Sequence, residues 1–103
     1  MLSDPPQHTK QSLIHCFIDK YNLNCPEKGT TLGPVNGEPP KKVASWEGCS
    51  ILCSKRRGCK YWLWHHENAG KWAYDCITMT DATQSWKDDN TVAGTAGCAE
   101  RFG

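Results

Sequence analysis

Thiols dominate the residues whose chemistry could define this chain. Cys16, Cys25, Cys49, Cys53, Cys59, Cys76 and Cys98 stand in a sequence of 103 residues. Three uses compete for them: cross-linking, zinc binding and nucleophilic catalysis. Zinc would have enough ligands in Cys49, Cys53, Cys59, His65, His66 and Cys76. Structural zinc, however, wants two closely spaced ligand pairs, and only Cys49-x3-Cys53 qualifies, inside a stretch that reads as helix. A Cys-His nucleophile and base is conceivable chemically, but thiols at structural spacing are better read as bridged than as reactive. No Gly-x-Ser-x-Gly, phosphate loop or zinc-protease helix is present, and Asp88-Asp89 beside Lys87 reads as a solvated loop. The expectation is a non-enzyme with no catalytic residue, no metal and no cofactor.

A second set of residues is suited to recognition. Five tryptophans are too many to bury together in a chain this short, so one or two should face solvent, with Trp72 and Trp86 the candidates. Aromatic faces near loops, with lysines beside them, suit a sugar or a protein ligand. The candidate contact residues are Lys60, Tyr61, His65, His66, Lys71, Trp72 and Tyr74. His65-His66 reads first as an exposed pair at the edge of a loop and second as a pH-responsive contact.

Composition explains why sulfur is needed. Phe, Leu, Ile and Val together number 15, which is thin for a core and allows no more than one ordinary domain. Cross-links or a metal must supply the missing stability. Twelve basic and 11 acidic residues leave a net charge of +1, and the longest block of like charge is Lys55-Arg56-Arg57, so nucleic acid is a poor partner. No stretch approaches the length of a membrane span, which argues against direct membrane insertion. Met1 to Lys10 lacks the apolar middle of a secretory signal, so secretion would depend on sequence not present here.

The elements that must position these residues follow from local signals. Residues 1–15 are polar and carry Pro5-Pro6, reading as a flexible leader or linker, and 16–103 read as a single module. Leu13 to Leu23 fits a short helix or an irregular strand equally well. Turn signals between Cys25 and Val43, among them Gly33-Pro34, Asn36-Gly37 and Pro39-Pro40, predict short strands and loops. Ser45 as N-cap, Glu47 in the first turn, Lys55-Arg56-Arg57 at the end and Gly58 as the stop predict a helix from Trp46 to about Arg56. Cys49 and Cys53 then share one helical face with Leu52 and Trp46 beside them. Cys59 to His66 and Trp72 to Met79 read as two strands joined through Glu67 to Lys71. Trp62 and Trp64 share one face of the first strand and belong inside, while Tyr61, Leu63 and His65 share the other, partly wet face. A polar stretch follows to Asn90, and a short strand from Thr91 to Cys98 closes the chain.

On this layout Cys53 can meet Cys59 across Gly58, and Cys49, one turn earlier, can reach Cys76 on the second strand. Closed loops of six and 27 residues contribute roughly 2 and 3.5 kcal/mol in the chain-entropy account. Ser45 to Cys59, with its Cys-x3-Cys-x5-Cys spacing and Trp62 and Trp64 just beyond, resembles the PAN/apple domain. Cys76 stands where that family has its fifth cysteine, and Val92 to Cys98 looks like its closing segment. The Trp-x-Trp strand is most similar to apple modules of apicomplexan microneme adhesins.

The resemblance implies an α+β, disulfide-rich small domain in which an antiparallel β-sheet cradles one α-helix, with Cys49–Cys76 and Cys53–Cys59 tying helix to sheet. It also implies a terminal bridge to Cys98. Both Cys16 and Cys25 fit its first cysteine. Cys25, which precedes a segment similar to the family's opening loop, is favoured, leaving Cys16 odd, free or paired outside the module. The function implied is a non-enzymatic, secreted adhesion module of a longer protein, reached through an organelle such as the microneme and recognising a protein partner or a host-cell carbohydrate. The rival reading is a structural module that assembles with neighbouring modules of its parent, and a zinc-binding or cysteine-dependent domain stands behind both.

Overall fold

Residues 19–101 are described by the computed structural model; the leader, Cys16 and most of the Leu13 to Leu23 segment lie outside them. The helix forms where its start and stop signals stand. Ser45 is extended, its Oγ accepts a hydrogen bond from the Gly48 N–H at 3.3 Å, and helix α1 runs Trp46–Lys55 with Glu47 in its first turn and Lys55 in its last. Arg56 ends it in an extended conformation, and Gly58 takes φ +80°. The buried positions of α1 are Cys49, Ser50 and Cys53. Trp46 and Leu52 also pack against the core but are only partly buried, so hydrophobic burial alone gives the helix limited reason to dock.

Sulfur supplies the reason. Cys49 is bridged to Cys76 and Cys53 to Cys59, each with a Cα–Cα distance of 5.4 Å, and Cys25 is bridged to Cys98 at 5.3 Å. The sheet that receives the helix is antiparallel and five-stranded: β1 (Glu27–Val35), β2 (Lys41–Lys42), β3 (Tyr61–His65), β4 (Asp75–Met79) and β5 (Asp81–Thr95), in the order β1-β5-β3-β4-β2. This is the α+β architecture expected. Strand β3 sits at the centre, with Trp62 opposite Thr78 on β4 and Gly94 on β5.

On the helix side Trp62 and Trp64 pack among Cys49, Cys53, Cys59, Cys76, Val92 and Cys98. Trp46 stacks on Trp62 at 5.9 Å between ring centroids and 7° between planes. Both buried indole N–H groups are satisfied, Trp62 by the Thr95 carbonyl and Trp64 by the Val43 carbonyl, each at 3.0 Å. Gly94 makes room for the first ring: a Cβ there would lie 2.7 Å from Trp62 Cε2 and 2.9 Å from its Nε1.

The opposite face differs from the sequence expectation, because Tyr61 and Leu63 are buried and not partly wet. Leu32 of β1 and Ala82 of β5 pack over them with Met79 and Ala93, and Tyr21 and Leu23 close the edge. Tyr61 lies 3.3 Å by its hydroxyl from Asp19 Oδ1 and 5.8 Å by its ring from Tyr21, whose hydroxyl donates to the Ala82 carbonyl at 2.8 Å. Burial, and then the Asp19 carboxylate, push the Tyr61 phenol above its ordinary pKa.

Three boundaries also differ. The last strand does not start at Thr91: the polar stretch after Met79 forms the first part of the 15-residue β5, paired with β1 alone. The sequence there shows no alternation because Thr83 to Lys87 are all exposed. Trp72 precedes the second strand of the hairpin: it lies on a 3-10 turn, Gly70–Trp72, and β4 begins at Asp75. Cys98 lies on a second 3-10 turn, Ala96–Arg101, and not on a strand. The close fit of ring on glycine gives a direct check. Gly94→Ala forces Trp62 aside and costs about 1–3 kcal/mol, seen as a fall of several degrees in the melting temperature of the oxidised protein.

Candidate functional site

Strand β3 ends at His65, and the chain turns back to β4 through a corner, residues 66–74, whose backbone is tied at almost every step. His66 N–H donates to the Asn90 carbonyl at 2.6 Å, Ala69 N–H to that of His66 at 3.0 Å and Ala73 N–H to that of Gly70 at 3.0 Å. Gly70 takes φ +67°, which glycine adopts freely. Tyr74 takes φ +69°, a conformation rare for a bulky side chain. Two backbone bonds hold it there, Tyr74 N–H to the His65 carbonyl at 2.8 Å and Val43 N–H to the Tyr74 carbonyl at 2.9 Å.

The corner is also clamped from β2. Lys42 Nζ donates to the carbonyls of Lys71 at 3.2 Å and Ala73 at 2.8 Å and pairs with the Asp75 carboxylate at 3.0 Å. One ammonium thus satisfies orphan carbonyls of the 3-10 turn and a carboxylate on the adjoining strand. No sequence signal marks Lys42 for this, because its partners lie about 30 residues further along the chain.

These ties leave two aromatic rings in solvent. Trp72 is 54 % exposed and Tyr74 40 %. Lys71 Nζ stands 4.9 Å over the Trp72 ring, while Tyr74 leans on buried Trp64 at 6.2 Å. Beside Tyr74 an open hollow of about 520 Å3 is bounded by Lys42, Val43 and Ala44. A rigid surface of exposed ring faces with adjacent ammonium donors is able to take the apolar face of a sugar ring or an apolar side chain of a protein.

Of the seven residues singled out for ligand contact, His65, His66, Lys71, Trp72 and Tyr74 gather at this corner. The histidines are half-buried, not exposed: His66 Nδ1 accepts from Asn68 N–H at 3.2 Å, and His65 Nδ1 lies 3.3 Å from the Asp75 carbonyl oxygen. Lys60 is exposed but precedes β3 at the strand's other end. Tyr61 is fully buried, because Tyr21 and the outer part of the β1–β5 ribbon cover its face. Trp86, the other tryptophan expected at the surface, is 48 % exposed on β5.

The three bridges occupy six of the seven cysteines, among them all four, Cys49, Cys53, Cys59 and Cys76, that a zinc site would draw on. Among the described residues no group of three or more His, Cys, Asp or Glu is gathered as for a metal ion, and no helix is long and apolar enough to cross a membrane. Three disulfides in so small a domain are compatible with an extracellular location. Comparison with known proteins finds no matching protein-family model and no matching curated protein.

The backbone of Tyr74 separates structure from recognition. Tyr74→Gly changes stability by no more than about 1 kcal/mol, because relief of the left-handed conformation offsets the lost ring contact and the added chain entropy. Tyr74→Val, β-branched at the same φ, is the more destabilised of the two by at least about 1 kcal/mol. Urea denaturation of the two variants against the parent reads the difference.

Proposed function

We propose that this chain is a non-enzymatic, extracellular adhesion module of the PAN/apple type, whose ligand, a host-cell carbohydrate or a protein, seats on the corner at 66–74. One observation carries the reading: Trp72 and Tyr74 stand in solvent on a backbone held rigid by hydrogen bonds and the Lys42 clamp, Tyr74 in a strained conformation. Leaving large rings exposed and keeping strain are costs that packing alone does not explain, and both recur where a protein meets a ligand. Rigid aromatic surface loses little conformational entropy on binding, and the ammonium of Lys71 supplies donors beside it. Of the two ligand classes, the sugar is favoured by exposed ring faces flanked by the Lys71 ammonium and an open hollow.

The apple-type assignment is supported by two bridges that leave one helix face a turn apart and by the terminal bridge at Cys98. Secretion, and passage through an organelle such as the microneme, follow from that assignment and from a fold held by disulfides.

A glycan array probed with the oxidised protein tests the proposal. Binding to a defined set of saccharides is expected, with Trp72→Ala reducing affinity at least roughly tenfold while the melting temperature stays within a few degrees of the parent. Absence of saccharide binding, together with capture of a sister module of the parent protein that Trp72→Ala leaves intact, would replace this reading with the assembly role.

A further inference from the structure

A second concave surface lies between the last turn of α1 and β2, and none of the candidate ligand residues lines it. This groove has a volume of about 300 Å3 and is walled by Glu38, Pro39 and Lys41 on one side and by Leu52, Lys55 and Arg56 on the other. Its floor is β4, at Cys76 and Thr78, so the Cys49–Cys76 bridge fixes its width.

The charges in it are not equivalent. Arg56 is committed to the fold: its guanidinium donates to the Thr78 carbonyl at 2.6 Å and the Asn36 carbonyl at 2.8 Å, and its Nε pairs with Glu38 at 3.5 Å. Lys41 and Lys55 are exposed, and neither ammonium has a carboxylate partner among the described residues. Three cations against one carboxylate leave the groove with two positive charges in excess, on a chain whose net charge is only +1. Between the lysines the wall is apolar, at Leu52 and Pro39. Strand β2 ends the sheet, with no further strand paired outside it among the described residues.

We propose that this groove docks an extended acidic segment of a partner protein, its carboxylates meeting Lys41 and Lys55 and an apolar side chain resting on Leu52 and Pro39. Charge complementarity selects an anionic partner. The apolar wall between the cations favours a peptide in which acidic and apolar residues alternate at every second position, as in Glu-Ser-Leu-Ser-Glu, so that an extended chain turns both to one face, over a sulfated polysaccharide, which would present charge along its whole length. A partner in extended conformation also suits a groove that runs beside an open sheet edge. The site shares no ligand-contacting residue with the corner at 66–74, where Lys42 is held, so either can fail without the other.

The test uses the oxidised protein and a fluorescein-labelled peptide that repeats Glu-Ser-Leu-Ser (the Glu-Leu peptide), with its counterpart carrying Lys for Glu (the Lys-Leu peptide) as control and heparin as competitor, read by fluorescence anisotropy. Binding of the Glu-Leu peptide that weakens with salt is expected, with no binding of the Lys-Leu peptide. The double variant Lys41→Glu/Lys55→Glu loses affinity roughly tenfold or more, whereas Lys28→Glu on the far edge strand leaves it unchanged. Backbone amide shifts of the unmutated protein on titration with the peptide fall on Lys41, Leu52, Lys55 and Thr78, which keeps the test decisive should the double variant misfold. Failure of the Glu-Leu peptide to bind at low salt, shifts confined to other surfaces, or displacement at these residues by heparin at concentrations where the peptide is ineffective would each overturn the proposal. Saccharide binding at Trp72 is unaffected by any of these outcomes.

Discussion

Two sulfur bridges leaving one face of a ten-residue helix are the constraint on which the rest of this structure depends. The fully buried positions of α1 are Cys49, Ser50 and Cys53, and its Trp46 and Leu52 pack against the core only partly buried, so burial alone would hold it weakly against the sheet. Bridges to Cys59 and Cys76 hold it instead, and in the chain-entropy account they contribute about 2 and 3.5 kcal/mol, a large share of the roughly 5–15 kcal/mol that keeps a small domain folded. Everything on the helix side is arranged around them. Trp62 and Trp64 fill the space between the sulfurs and β3, Trp46 is stacked from above, and Gly94 clears the room that the Trp62 ring occupies.

The same clamp fixes both surfaces that recognition would use. Cys76 is on β4, next to Asp75, and these two neighbours serve different sites. Asp75 holds Lys42, which closes the carbonyls of the 66–74 corner, while Cys76 floors the groove between α1 and β2. Arg56 completes the arrangement from the end of the helix by binding the Thr78 carbonyl and the Asn36 carbonyl. A ligand meeting either surface therefore meets a backbone already ordered, which lowers the entropic cost of binding.

The parts of the fold that were legible in the sequence are those written in local signals. Ser45, Glu47 and Gly58 mark the helix within about a residue at each end, and the four-residue spacing of Cys49 and Cys53 places both thiols on one face. Crowding requires that one or two tryptophans face solvent, and Trp72 and Trp86, the candidates, are both exposed. What was not legible depends on contacts distant in sequence. In the first half of β5 only Ala82 is buried while Thr83 to Lys87 all face solvent, so period-two patterning never arises. Tyr61 reads as an exposed aromatic at a strand start until Leu32, Ala82 and Tyr21 are seen to cover it. Among site residues, Trp72, Tyr74 and Lys71 could be picked out as aromatic and basic positions near a loop, but neither Lys42 nor the left-handed backbone of Tyr74 leaves any mark in the order of residues. Arg56 reads as one of three basic residues easing a helix terminus and turns out to tie that terminus to β4.

Thermal unfolding followed by near-ultraviolet circular dichroism, before and after reduction of the disulfides under otherwise identical conditions, tests the role of sulfur most directly. The account predicts that the oxidised protein melts in one cooperative transition and that the reduced protein loses its tryptophan signal at ordinary temperature, the helix coming free of the sheet as the bridges open. A reduced protein that retains its tryptophan signal and melts at the same temperature would contradict it, because the helix would then be held by something other than Cys49–Cys76 and Cys53–Cys59.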